Sequence, residues 1–355
     1  MKFDLKQTNI AKGVAVLMLL WHHLFYNSVE NYNRFISVYV WNGMPIESFI
    51  ATFFKVCVAI FMILSGYGLY KSYDRFLNNL NKNETMKKRS FLMDAVFIKN
   101  RLLKLMSSYW VIFIIFVPFG LAFGKSFIET YGNNPLHYLS DFFGVSYLLY
   151  GGEYTMNPTW WYMSIIIVYY FIYPLLHKVC RYSAELLFAT ALVITVVMPN
   201  FRDLQLWILP FVFGMYLAAR DVFEYLSRIL KSTFVRLAVS SAIILTSAVI
   251  RNVYMKNKVK LDFVFAFGII LFAYFIISKI PFVNKVMEEL GKKSGMIFMF
   301  HTFIYDTYFR NFIYSFKYSI IIFIMLTVVC YLVAGALELL MKVSGYRKLI
   351  NKITV

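Results

Sequence analysis

The amino-acid sequence predicts an all-α polytopic membrane protein: a bundle of about ten transmembrane helices with both termini in the cytoplasm. Three observations carry this. Apolar runs close to the ~20 residues that cross a bilayer recur along the whole 355-residue chain. Only 15% of the residues are charged while 60% are hydrophobic, too little charge to clothe a soluble protein of this length. Basic residues cluster between alternate apolar runs, and such clusters set orientation in a bilayer.

The ten segments fall at 10–27, 48–70, 105–124, 160–177, 184–199, 204–219, 234–251, 261–279, 295–312 and 318–340. Segments 184–199 and 204–219 are short and divided by Pro199 and Arg202-Asp203. They read either as two spans or as a re-entrant hairpin, which lowers the count by two and leaves the orientation unchanged. Segment 137–151 is apolar and aromatic but interrupted by Asp141 and Gly144. It reads as an interfacial or re-entrant piece lying over the bundle. The stretch 71–104, most polar over 74–96, reads as a cytoplasmic loop. The whole of 1–355 reads as one membrane-embedded domain, with no appended soluble domain, internal repeat or low-complexity region.

The cations test this topology. The cytoplasmic set begins with Lys2, Lys6 and Lys12. It continues through Lys71, Arg75, Lys82, Lys87, Lys88, Arg89, Lys99, Arg101 and Lys104 to Lys342, Arg347, Lys348 and Lys352 at the end. One loop dissents: 251–260 carries Arg251, Lys256, Lys258 and Lys260 yet falls outside. The net charge of +18 thus reports orientation, and nucleic acid is not an expected partner. Cys57, Cys180 and Cys330 show no C-x-x-C spacing, and the five histidines form no H-E-x-x-H, so neither a disulfide framework nor a metal is expected. The N-terminal run, broken by His22-His23 and lacking a small-x-small site, does not read as a cleavable signal.

The residues that carry chemistry begin in the first span. Lys12 and His23 are eleven residues apart, about three full turns with ~20° of drift, so they share one face about 16 Å apart along the axis. Ionisable groups at membrane depth are costly and mark pathways or reaction sites. His23 is the candidate general base, taking a proton from a hydroxyl acceptor during acyl transfer, against the plainer reading of a packed histidine bonded to a neighbouring helix. Lys12 alone also reads as a lysine snorkelling to the interface; its phase with His23 raises it. His22 lies about 80° off that face and reads as a hydrogen-bonding partner of a neighbouring helix.

Further along, Leu64-Ser65-Gly66-Tyr67-Gly68 permits close helix approach and reads equally as a packing element or a ligand-facing one. Arg101 and Lys104, at i and i+3, suit the phosphates of a coenzyme A donor, against the plainer reading of flanking charge. Trp160, Trp161 and Tyr162 open the fourth segment as an aromatic belt or as stacking faces for a sugar. His301, with Tyr305 and Asp306 close behind, reads either as a polar lining of the same cavity or as an interhelical hydrogen-bonding group.

In this order the motifs resemble acyltransferase family 3, the bacterial integral-membrane acyltransferases of surface polysaccharides and related glycans. Lys12 to His23 has the spacing of the family's Arg-x10-His. Leu64-Ser65-Gly66-Tyr67 resembles its Ser-Gly-Phe element, and Arg101-Leu102-Leu103-Lys104 its Arg-x-x-Arg. Trp160-Trp161-Tyr162-Met163 with Tyr170 and Pro174-Leu175-Leu176 is similar to the Trp segment that follows. His301 resembles a late histidine. The departures are Lys for Arg at 12 and 104, and Ile166-Ile167 where many members carry Glu-Glu. The resemblance implies transfer of an acyl group, acetyl above all, from cytosolic acyl-CoA to a hydroxyl of a cell-surface glycan across the bacterial cytoplasmic membrane. It implies no bound cofactor, a donor site at Lys12, Ser65, Arg101 and Lys104, and an acceptor or cavity lining of His22, Trp160, Trp161, Tyr162 and His301. Proteins of polysaccharide assembly are the expected partners. Two readings compete: a transporter or flippase of polysaccharide or lipid-linked sugar, and an inactive scaffold of the same family.

Overall fold

The computed structural model describes residues 2–26, 34–81, 90–123, 126–253 and 259–354. The helices are α1 (Leu5–Phe25), α2 (Ile46–Phe54), α3 (Cys57–Asn81), α4 (Ser90–Phe123), α5 (Phe127–Tyr131), α6 (Pro135–Phe142), α7 (Ser146–Tyr150), α8 (Trp161–Tyr182), α9 (Ala184–Val197), α10 (Leu204–Ala219), α11 (Val222–Ile229), α12 (Thr233–Val253), α13 (Asp262–Phe275), α14 (Val283–Thr302), α15 (Arg310–Tyr314), α16 (Ser319–Val343) and α17 (Tyr346–Ile353). A short antiparallel ribbon pairs Val40 with Pro45 and Trp41 with Met44. Among the described residues six helical stretches are long and apolar enough to cross a membrane: Ile46–Asn79, Leu92–Ala122, Pro158–Tyr182, Thr233–Val253, Asp262–Lys279 and Ser319–Val343. The bent pair α10 and α11, angled by 62°, makes a seventh if counted as one span. The protein is an all-α polytopic membrane protein. Helix α9, with 14 residues, is about 21 Å long and too short to cross a ~30 Å core unaided.

The stretch 71–104 is not the polar loop its charges suggest. Helix α3 runs on to Asn81 and α4 starts at Ser90; Lys82, Lys87, Lys88 and Arg89 lie outside the described residues. Aromatic residues among the cations explain the extension. The Phe97 ring lies 5.5 Å from that of Phe76 and 6.0 Å from that of Tyr173, so these turns have an apolar face to bury. The 34 residues of α4 make about 51 Å, some 20 Å more than hydrocarbon requires.

The chain forms two compact units, Met1–Asp74 with Leu175–Ser294, and Arg75–Pro174 with Gly295–Val355. In the first, the Asp4 carboxylate caps α1 by accepting the N–H groups of Lys6 and Gln7 at 2.9 and 3.2 Å. Just ahead of it the buried Phe3 ring stacks 3.9 Å from that of Phe223. The backbone of Phe3 donates to Glu224 at 3.0 Å and accepts from the Tyr67 hydroxyl at 3.2 Å. Two reciprocal glycine contacts set the helix crossings. A Cβ on Gly13 would overlap the Met287 carbonyl, and one on Gly291 the Asn9 carbonyl. Gly66 and Gly214 stand in the same relation to the carbonyls of Phe211 and Ile63. Backbones this close exclude every other residue. Helices α9 and α10 pack as a hairpin, stitched at one end by Thr195 donating to the Gln205 carbonyl at 2.8 Å. At the other end Arg220 grips Glu185 with two bonds of 2.8 and 2.6 Å.

In the second unit, the 137–151 segment folds into α6 and α7, preceded by α5. Gly132, Gly144 and Gly151 take positive φ between them, a conformation that favours glycine. The stacked rings of Phe116, Phe300 and Phe303 join α4 to the end of α14. Gly120 leaves room for the Tyr308 hydroxyl, which donates to the Phe116 carbonyl.

Candidate active site

In the first unit the Lys12–His23 face of α1 shows an uneven exposure. Both residues are partly accessible. Val16 and Leu19, which project between them on the same side, are closed, at 0% and 1%. The face therefore opens at two points, one cationic and one imidazole, about 16 Å apart along the axis. Lys12 makes no hydrogen bond or ion pair with another described residue, so its three N–H donors are available to a ligand. Gly13, beside it, lets α14 approach.

His22 is buried and turned elsewhere. Its Nδ1 lies 2.7 Å from the Ala51 carbonyl oxygen; a carbonyl only accepts, so Nδ1 carries the proton. The reason lies in the second span, which breaks between α2 and α3. The Val56 amide reaches back to Phe53 at 3.2 Å instead of to Thr52, and the carbonyls of Ala51 and Thr52 lose their helical partners. His22 takes the first. Arg251 takes the second, with Nη1 2.7 Å from the Thr52 oxygen. Arg251 also lies 3.0 Å from Asp262, the two side chains 4% and 3% exposed. Of the cations in 251–260, Arg251 is a buried partner of Asp262 at the end of α12, while Lys256 and Lys258 lie outside the described residues. Ser65 is half-buried on α3 beside Gly66, whose packing role is now explicit. A pair missing from the sequence reading is His177 with Asp74, Nε2 to Oδ1 2.9 Å, flanked by the rings of Tyr70 and Tyr73.

In the second unit Arg101 and Lys104 sit well inside α4 rather than at its start, because the helix begins at Ser90. The Arg101 guanidinium lies over the Phe97 ring at 5.1 Å and Lys104 is exposed. Trp160 is no aromatic belt: it is 2% exposed, ringed by Tyr109, Phe113 and Phe303. Its indole N–H donates to the Met299 carbonyl at 2.8 Å. Asn157 donates to the same oxygen at 3.1 Å. Trp161 and Tyr162 stay half-exposed. His301, two residues past Met299, is fully enclosed; its Nδ1 lies 3.0 Å from the carbonyls of Ile297 and Phe298 in its own helix. Asp306 does not join it in a polar lining. A π-helical turn over Phe303–Tyr308 re-aims the chain, and Asp306 is exposed, 3.9 Å from Arg310.

The most connected polar residue here is Asp141, which the sequence offers only as an interruption. It is 1% exposed. Its carboxylate accepts from Tyr131 at 2.9 Å, Thr155 at 2.8 Å and the Met156 amide at 3.0 Å, and its carbonyl accepts from Tyr109. Burial pushes its carboxyl up to about 7 against those three donors, which pull it down. Asp141 holds the α6–α7 segment onto the turn that places Asn157 and Trp160. A lone acid in an apolar, aromatic segment was the available signal.

Residues 6–338 match the acyltransferase domain of acyltransferase family 3. The chain belongs to that family and is a membrane acyltransferase. No curated protein and no solved structure matches it.

Proposed function

We propose that this protein transfers an acyl group, acetyl as the leading case, from cytosolic acyl-CoA to a hydroxyl of an extracytoplasmic cell-surface glycan. It would do so in a bacterial cytoplasmic membrane, with both termini inside. The observation that supports this best is on α1: a lysine with no partner among the described residues and an imidazole keep access on one face whose intervening side chains are closed.

In this reading His23 is the general base. It takes the proton of the acceptor hydroxyl as that oxygen attacks the thioester carbonyl. The carbon–sulfur bond breaks, and the coenzyme A thiolate leaves and is reprotonated. Lys12 and Ser65 in the first unit, and Arg101 and Lys104 in the second, are each assigned to the acyl-CoA donor, the cations by their charge toward its phosphates. Trp161 and Tyr162 present ring faces to the acceptor. His22 and His301 act through the helices they brace.

The test compares acyl content of surface glycan in cells carrying wild type or His23→Ala at matched membrane levels. Loss of glycan acylation is expected. Unchanged acyl content rejects His23 as the base, and mass spectrometry of the wild-type glycan reports which acyl group and which acceptor are involved.

A further inference from the structure

One ion pair of the first unit is closed to solvent and takes no direct part in acyl transfer. Arg251 stands in the last turn of α12 and Asp262 in the first turn of α13, their side chains 4% and 3% exposed. Stability alone does not account for such a pair. Withdrawing two charges from water costs about as much as their attraction returns, and an apolar pair of similar volume is often as stable or more so. The two helices also have a close packing contact of their own, since a Cβ on Gly268 of α13 would come within 2.8 Å of Ile243 on α12.

What the pair holds is a carbonyl. The Arg251 guanidinium presents two edges at once: Nε lies 3.0 Å from the Asp262 carboxylate, and Nη1 donates to the Thr52 carbonyl at 2.7 Å. Asp262 thereby orients the planar group, and a planar fork can meet both partners where a single ammonium cannot. The neighbouring carbonyl, that of Ala51, lies 2.7 Å from His22 Nδ1. One turn earlier, the Glu47 carbonyl accepts from the Trp21 indole at 3.1 Å. Consecutive residues of α1 are thus bonded to α2, and Arg251 bonds the end of α2 from α12. The His22 ring in turn meets that of His23 edge to face, with centroids 5.2 Å apart. These contacts run without a gap from Asp262 to His23 inside one compact unit.

We propose that Arg251 and Asp262 are positioning residues of the acyl-transfer site: they fix the end of α2 and, through the bond between Ala51 and His22, aim the His23 imidazole. This rests on the reading of His23 as the base. Loss of the fork slows the chemical step, because proton removal needs the imidazole within hydrogen-bonding reach of the acceptor hydroxyl. It leaves donor binding alone, since Lys12 stands about three turns away on α1.

The experiment supplies radiolabelled acetyl-CoA to inverted membrane vesicles of the expressing cells, which carry their own glycan, and reads the maximal rate and the KM for acetyl-CoA. In parallel, carbethoxylation of His22 by diethyl pyrocarbonate is followed by mass spectrometry. Arg251→Lys keeps a charge beside Asp262 without the fork. It is expected to lower the maximal rate by about tenfold or more, with KM unmoved and His22 labelled faster than in wild type. Arg251→Met with Asp262→Leu removes both charges and leaves no uncompensated ion; it is expected to reach wild-type membrane levels and show the same loss. A full maximal rate in either variant overturns the proposal, as does unchanged labelling of His22 in both. His23→Ala separates the two levels of the argument. If it transfers at the wild-type rate, the reading of His23 falls and this proposal with it; if it is silent while the Arg251 variants stay fully active, this proposal alone falls.

Discussion

At position 12 a lysine stands where the family's motif has arginine, and its surroundings say what that change does. No described side chain bonds to its ammonium, so the charge is available to a ligand, but as a single point rather than a planar fork. Lys12→Met is expected to raise the KM for acyl-CoA by about tenfold or more, the equivalent of one lost charge-assisted bond. Lys12→Arg is expected to keep activity. A KM unmoved in Lys12→Met, read from an acyl-CoA titration, would remove Lys12 from the donor site. Asp141 makes a different case. Unfolded, its carboxyl ionises near 4; folded, burial keeps the proton on until about 7. The folded state therefore holds the extra proton between those values, and stability falls as pH rises from about 4 to about 7 and then levels. Asp141→Asn abolishes that slope and leaves an amide facing donors, costing about 1–3 kcal/mol. Thermal unfolding of both proteins from pH 4.5 to 8 checks this, and parallel profiles would refute it.

The elements meet through backbone as much as through side chains. Ser65-Gly66-Tyr67-Gly68 was open to two readings, and the two glycines divide them. Gly66 faces the Phe211 carbonyl of α10 with no room for a methyl group, while Gly68 has nothing within 4 Å of a Cβ. Gly66→Ala is expected to destabilise by about 1–3 kcal/mol through overpacking. Gly68→Ala is expected to stabilise by roughly 0.5–1 kcal/mol through the helix's preference for alanine. Detergent-solubilised protein unfolded by heat would show opposite shifts, and equal shifts would contradict the crossing described. The break between α2 and α3 follows the same logic of accounting for every carbonyl. Two orphaned oxygens are met by His22 and Arg251, and the Arg251–Asp262 pair is tolerated in the interior because each ion has a partner. His22 thereby fixes the rotation of the turn that carries His23.

For the whole molecule, the amino-acid sequence by itself determined the membrane class, the helical character of each apolar segment and the family. Hydropathy is a property of composition and order, and motif spacing is counted along the chain. It placed Lys12 and His23 on one side of α1 because helical phase is local. The tertiary structure alone decided the rest. Helix ends at Asn81 and Ser90 moved because Phe76 and Phe97 find each other, which no window of charge density registers. Trp160 became a core residue and Arg251 a buried one because their partners, Met299 and Asp262, are set by packing. Asp141 became the hub of its segment only once Tyr131, Thr155 and Met156 converged on it. A pattern read along one chain records which face a residue takes. It does not record what arrives opposite that face, because burial and partnership depend on contacts between residues far apart in sequence.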